Sequence, residues 1–339
     1  MSLLLSADVG GTKTILQLSK LESGALSAVK QNEYKSADWP TFDALLDDFL
    51  HGQDTCDSAC FAIAGPIQVI SDEPQTNTIV NVTNLPWLLN LNDLKEKYQF
   101  TYLSLINDFQ AIAYSVELLG ENELLTLQAG QPSNHGPRAF IGAGTGLGQA
   151  ISTFNGLDYD VISTEGGHCD FAPNNDFEVA LYQFLNQKYT HVSYERLLSG
   201  EGLYNIYQFF TQICDLDSDA ISEKNLIESS ADKAMSISHQ AEKNAEGLAA
   251  RSMALFFQIY GSQTGNLALS CLPSGGIYIA GGIAQKNIEL LKSSDFMRRF
   301  LAKGRMQILL EQIPVHIITS KNAGLLGATS VAFKHMQKH

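Results

Sequence analysis

Two glycine–threonine turns, each set between strand-like runs, constrain this chain more than any other feature. Asp8-Val9-Gly10-Gly11-Thr12 separates an apolar run at 3–9 from an alternating segment at 13–19. Gly142-Ala143-Gly144-Thr145-Gly146-Leu147-Gly148 separates runs at 138–142 and 148–153. Adjacent glycines permit a tight turn and a close backbone approach to a ligand. Successive N–H groups in such a turn form an anion-binding concavity, and the threonine hydroxyl adds a donor. The second turn is not a dinucleotide fingerprint, because position 147 is leucine, and no Gly-Lys-Ser/Thr of a P-loop occurs in the chain.

The rest of the chain alternates strand and helix signals. Phe42, Leu45, Leu46, Phe49 and Leu50 share one face of a helix predicted over 41–51. A buried strand is predicted at 59–64, stopped by Gly65-Pro66, then a short helix at 92–98. A strand at 101–106 ends at Asn107-Asp108, and a helix follows to about 119. Residues 128–137, rich in Gly, Pro and polar side chains, read as the clearest linker. Helices are expected at 177–189 and 203–213, a largely helical stretch at 219–270, strands at 276–280 and 314–319, and a last helix at 323–336. This alternation predicts an α/β class, and 339 residues are enough for two domains. No short-period repeat is present, but the strand–turn–strand unit at 3–18 is echoed at 139–153.

The 36 acidic residues exceed the 22 basic ones, for a net charge of −14. Such a chain is a poor partner for nucleic acid or anionic lipid. A bound nucleotide would have to be held by local backbone dipoles and a cation. Cys56, Cys60, Cys169, Cys214 and Cys271 are odd in number and scattered, which argues for a reducing compartment rather than a disulfide framework. Cys56 and Cys60 lack a second pair at zinc spacing. The start of the chain lacks the pattern of a signal peptide. No window nears the roughly 18 uninterrupted apolar residues of a membrane span. A cytoplasmic location is expected.

Several residue groups carry chemistry. Asp8 beside the first turn suits a hydrated Mg²⁺ placed between it and phosphate. Asn107-Asp108 lies between a buried strand and a helix, where α/β folds build sites. There Asp108 could accept a proton, or simply cap the helix. Glu165-Gly166-Gly167-His168 sets a carboxylate and an imidazole around a flexible pair, an array suited to a polyhydroxylated molecule. A metal would need Cys169 and Asp170 as well. Glu195 taken alone reads as a helix-surface charge, and Gly281-Gly282 as a packed turn or a ledge for a flat ring.

Taken in order, DVGGT (8–12), FAIAGP (61–66), TNLPW (83–87), INDF (106–109), GAGTGLG (142–148), EGGHCDFAP (165–173), ERLLSG (195–200), GGIYIAGG (275–282) and NAGLLGA (322–328) resemble the bacterial ATP-dependent glucokinases. These belong to the actin/hexokinase-like (ribonuclease H-like) branch of sugar kinases. The resemblance implies two lobes, each a mixed β-sheet flanked by helices: residues 1–117 completed by 308–339, and residues 118–307. It implies transfer of the γ-phosphoryl of MgATP to the 6-hydroxyl of glucose, the entry step of glycolysis, with Asp108 as catalytic base. Asn84, Asn107, Glu165, His168 and Glu195 match the positions that hold the remaining hydroxyls. Ala7, Asp8, Val9, Gly10, Gly11 and Thr12 match the first phosphate loop, with Asp8 on Mg²⁺ through water. Gly144, Thr145 and Gly146 match the second, and Gly281 and Gly282 the adenosine-side turn. The family further implies a homodimer. Lys13 is instead shared with the repressor/open-reading-frame/kinase family, whose cysteine-rich zinc motif this sequence lacks. A kinase for another hexose or N-acetyl sugar, and a non-catalytic sugar-sensing regulator, are the alternatives on the same fold.

Overall fold

The computed structural model describes residues 2–22, 25–65, 67–72 and 75–337, so Pro66 of the expected strand stop lies outside the described residues. The chain forms two compact units, Met1–Glu123 with Ser320–His339, and Leu124–Thr319.

The first unit contains β1 (Ser2–Val9), β2 (Lys13–Glu22), β3 (Ala25–Lys35), β4 (Ser58–Ile63), β5 (Ile67–Asp72), β6 (Gln75–Asn81), β7 (Leu88–Asn90) and β8 (Tyr102–Asn107). Its main sheet has the order β3-β2-β1-β4-β8. The β1–β2 and β2–β3 pairs are antiparallel, while β1–β4 and β4–β8 are parallel. β5, β6 and β7 form a separate antiparallel sheet. Every position of β4 is buried, as a central parallel strand covered on both faces requires. The helix Phe42–Leu50, capped by the Thr41 hydroxyl on the Ala44 N–H, buries Phe42, Leu45, Leu46 and Phe49 against Leu5, Leu16 and Phe61. Each such side chain contributes about 1.5–3 kcal/mol of transfer free energy. On the other side Ala111, Ala328, Val331 and Ala332, from the helices Asp108–Ser115 and Ala323–Gln337, pack with Leu4, Cys60 and Ala62.

The second unit contains β9 (Leu124–Gln128), β10 (Arg138–Ala143), β11 (Leu147–Phe154), β12 (Tyr159–Thr164), β13 (Gly276–Ala280) and β14 (Val315–Ile318). The sheet order is β12-β11-β10-β13-β14-β9. Its first five strands repeat the plan of the first unit: an antiparallel meander followed by two parallel strands. The sequence echo is therefore a repeat of topology. The stretch expected to be mostly helical divides into Ser218–Ser229, Lys233–Lys243 and Leu248–Cys271. Phe256, Phe257 and Tyr260 of the last join Ile141, Ile277 and Ile279 in one core.

Two expectations need correction. Residues 128–137 do not join the units, because Gln128 is paired in β9. The loop after it is tied down within the second unit by Gln131 N–H to the Gln312 carbonyl at 2.6 Å and Ser133 N–H to the Ser274 carbonyl at 2.8 Å. The chain crosses between units at Glu123/Leu124 and Thr319/Ser320, not at 117/118 and 307/308. Segment 308–319 stays in the second unit because β14 pairs with β13 and β9.

Candidate active site

In the first unit the register levels the carboxyl ends of the parallel strands: Val9 pairs with Ile63, and Ile63 with Asn107. Ligand sites in α/β sheets form at this edge. The turn after β1 is closed by the Gly10 N–H on the Lys13 carbonyl at 3.0 Å. It is braced by the Ser36 hydroxyl, which donates to the Gly10 carbonyl at 2.7 Å and lies 3.0 Å from the Thr14 hydroxyl. Gly11 lies against Thr83 and Asn84: a Cβ there would sit 2.6 Å from the Thr83 carbonyl oxygen and 3.3 Å from Asn84 Cβ. Asn84 itself is left-handed, at φ 63°, a conformation that asparagine tolerates better than most residues. Ala7 and Val9 are buried in the sheet, so they shape this turn from behind.

Asn107, not Asp108, caps the helix Asp108–Ser115. Its side-chain oxygen accepts the N–H groups of Phe109 at 2.9 Å and Gln110 at 3.4 Å, and its amide donates to the Gly65 carbonyl at 3.4 Å. Asp108 is the first helical residue, half-buried, with Oδ1 accepting the Phe109 N–H at 2.8 Å. Burial pushes its carboxyl above the usual range, against the pull of the backbone N–H groups of Phe109 and Asp108 and the Asn107 side chain. Asp8 is pushed up to about 6, first by burial and then by the charge of Asp108, while Lys13 opposes both. Lys13 also pairs with Glu33 at 3.2 Å on the surface. The NAGLLGA segment serves the same edge. A Cβ at Gly324 would lie 2.6 Å from Asp8 Oδ2, and one at Gly327 would run into the Ala111 backbone. Small residues thus let the last helix press onto both the Asp8 carboxylate and the helix that begins with Asp108.

In the second unit β10 and β13 end level, with Gly142 opposite Ala280. Gly144–Gly146 and Gly281–Gly282 therefore share one edge. The Tyr260 hydroxyl donates to the Ile141 carbonyl at 3.2 Å and accepts the Ala143 N–H at 3.3 Å, fixing the end of β10. Gly281 has φ 84° and ψ 150°, a region open essentially to glycine alone. A Cβ there would press on the Ala143 backbone. The two turns open onto a cavity of about 720 Å³ lined by Gly144, Thr145, Gly200, Met235, Gly282 and Ile283, with Asp232, His239, Glu242 and Lys286 among its polar groups. That volume lies within the range of small-molecule sites. Helix Lys233–Lys243, which supplies much of one wall, carries no local motif that marks it for this role.

Next to this edge Glu165, His168 and Glu195 come together. His168 Nε2 lies 3.9 Å from Glu165 Oε2, and Nδ1 lies 3.9 Å from Glu195 Oε1. Glu165 is 92 % exposed and Glu195 26 %, so the three side chains offer two carboxylates and an imidazole to a polar ligand. Among the described residues no three His, Cys, Asp or Glu side chains gather as a metal site. Asp170 turns instead to His191, at 2.7 Å.

Residues 5–335 match the sequence profile of the glucokinase family. A glucokinase of Nostoc sp. is 40 % identical over 347 residues, covering 98 % of this chain and 99 % of its own. A glucokinase from an Antarctic psychrotroph, solved by crystallography, superposes with TM-score 0.81 at 28 % identity, covering 98 % of this chain and 99 % of that one. A ROK family glucokinase from Streptomyces griseus, solved in complex with glucose and AMPPNP, shares the fold at TM-score 0.60 and 18 % identity, covering 98 % of this chain and all of that one. Profile, near-full-length identity and fold agree with the two sheet edges described above, and the chain belongs to the glucokinase family, sugar-kinase phosphotransferases of the actin-like ATPase fold.

Proposed function

We propose that this chain transfers the γ-phosphoryl group of MgATP to the 6-hydroxyl of glucose, giving glucose 6-phosphate and ADP, with Asp108 as general base. The observation that carries the reading is the half-buried Asp108 carboxyl, held at the sheet edge with one oxygen engaged by a backbone N–H and its proton affinity raised by burial. A sugar hydroxyl is a very weak acid. A carboxylate in hydrogen-bond reach orients it and takes its proton as the P–O bond forms. A raised pKa makes that carboxylate a stronger base. In the first unit Asn84 and the second amide hydrogen of Asn107, and in the second unit Glu165, His168 and Glu195, are the polar groups suited to the remaining sugar hydroxyls. A sugar with one hydroxyl missing leaves such a group unpaired, at about 1–3 kcal/mol each.

The backbone N–H groups of 8–12 in the first unit and of 144–146 in the second are each suited to phosphate oxygens, and the cavity beside Gly282 is suited to the nucleoside. The complex of the Streptomyces griseus enzyme with glucose and AMPPNP supports both ligands. Asp8 suits a hydrated Mg²⁺: it is half-buried, feels the charge of Asp108 and is pushed up to about 6, a charge arrangement that a dication relieves. When bound, Mg²⁺ neutralises charge on the phosphate oxygens. Among the described residues no helix is long and apolar enough to cross a membrane. The thiols, all five unpaired, support a reducing, cytoplasmic location, and the family resemblance supports a homodimer.

The test is Asp108→Ala in a coupled assay with a panel of sugars and phosphoryl donors. Turnover is expected to fall by about 10²–10⁴-fold while glucose binding weakens only modestly. A variant that keeps more than about a tenth of the wild-type rate would remove the base from this residue.

A further inference from the structure

We propose that Glu195 is a positioning residue for the nucleotide, acting through the 144–147 loop, as well as a contact for the sugar. This rests on the reading of that loop as a phosphate loop. One carboxylate oxygen, Oε2, accepts the Leu147 N–H at 2.9 Å. A Cβ added at Gly146 would sit 2.5 Å from the same oxygen, so the loop and the carboxylate are in direct contact. Leu147 is 5 % exposed, which leaves little room for water to replace the bond. The other oxygen, Oε1, faces His168 Nδ1 at 3.9 Å. Glu195 thus gives one oxygen to the loop and keeps one for the side where the sugar is placed.

The segment that carries Glu195 is fastened on both flanks. Toward the nucleotide cavity, the Gly200 N–H donates to the Gly144 carbonyl at 2.9 Å, and the Ser199 hydroxyl donates to the Glu195 carbonyl at 2.8 Å. Toward residues 165–171, the Tyr194 N–H donates to the Cys169 carbonyl at 3.0 Å and the Phe171 N–H to the Val192 carbonyl at 2.9 Å. Residues 192–200 therefore act as a splint between the two loops, with the Glu195 side chain as the joint. An acceptor at this position keeps the Leu147 amide aligned, and with it the turn closed by the Gly144 N–H on the Gly146 carbonyl at 2.8 Å. A residue that served the sugar alone would leave the empty nucleotide site unchanged.

The experiment is calorimetric titration of the whole protein with Mg-AMPPNP in the absence of any sugar. Glu195→Ala leaves the Leu147 N–H without its acceptor, and AMPPNP binding is expected to weaken by about tenfold. Glu195→Gln keeps an acceptor oxygen, so binding should return close to wild type while the glucose requirement in the kinase assay still rises. Circular dichroism checks folding. Should the alanine variant fail to fold, Glu195→Asp, which withdraws the carboxylate by one methylene, is expected to show the same weakening. Wild-type AMPPNP affinity in the alanine or aspartate variant overturns the proposal, as does a glutamine variant as weak as alanine. A glutamine variant with an unchanged glucose requirement would instead reject the sugar contact and leave the loop role standing.

Discussion

Replacing Asp8 with asparagine removes a charge that the folded chain holds at a cost. Burial and the neighbouring Asp108 raise its carboxyl from 3.8 to about 6. At about 1.4 kcal/mol per pH unit, the ionised form costs at most roughly 3 kcal/mol of stability. Between pH 4 and 6 the folded chain holds a proton that the unfolded chain has lost. Stability from this group is therefore present at low pH, falls as pH rises through that window, and is gone above about pH 6. Asp8→Asn should match wild type near pH 4 and exceed it by up to about 3 kcal/mol at pH 7, while losing kinase activity. Both tryptophans, Trp39 and Trp87, lie in the first unit, where the Trp87 indole donates to the Trp39 carbonyl at 3.2 Å. Urea unfolding followed by tryptophan fluorescence, without Mg²⁺ or nucleotide, therefore reports on the unit that holds Asp8. A variant no more stable than wild type at pH 7 would refute the reasoning. So would an equal gain at both pH values, because a packing effect would not titrate.

Gly281→Ala forces a side chain into a conformation reserved for glycine, at φ 84° and against the Ala143 backbone. Strain of about 1–3 kcal/mol should lower the melting temperature, and displacement of the β10 end should weaken AMPPNP binding in calorimetry; wild-type affinity would contradict this. Glu178 has no exposed surface; it accepts the Asn174 N–H at 2.8 Å and the Asn175 amide at 3.1 Å, and pairs with Arg299. Glu178→Ala strands that guanidinium, whose Nε is already buried without a partner, and should cost about 3–5 kcal/mol by scanning calorimetry of the second unit's transition. A loss under about 1 kcal/mol, typical of an exposed pair, would contradict it.

The strands that surround the two turns were legible in the sequence because their signals are local. β4 and β13 are runs of apolar residues, and the amphipathic pattern of 41–51 yields the helix Phe42–Leu50. β3 and β12 were not legible. As outer strands of their sheets they have few buried side chains, so alternation is weak and pairing to β2 and β11 decides them. The cap at Asn107 was equally hidden, since Asn and Asp are both good caps and only backbone direction chooses between them.

By itself the sequence determined the two glycine–threonine turns, the repeated strand–turn–strand plan and the motifs of the glucokinase family, because turn conformation and hydrophobic periodicity are properties of neighbouring residues. Only the tertiary structure decided that β14 keeps 308–319 in the second unit, that helix Lys233–Lys243 walls the cavity, that Glu195 grips the Leu147 N–H, and that burial and Asp108 push the Asp8 carboxyl upward. Each depends on strand pairing, desolvation or a hydrogen bond between residues far apart in the chain, and no local pattern records which distant partner a group will meet.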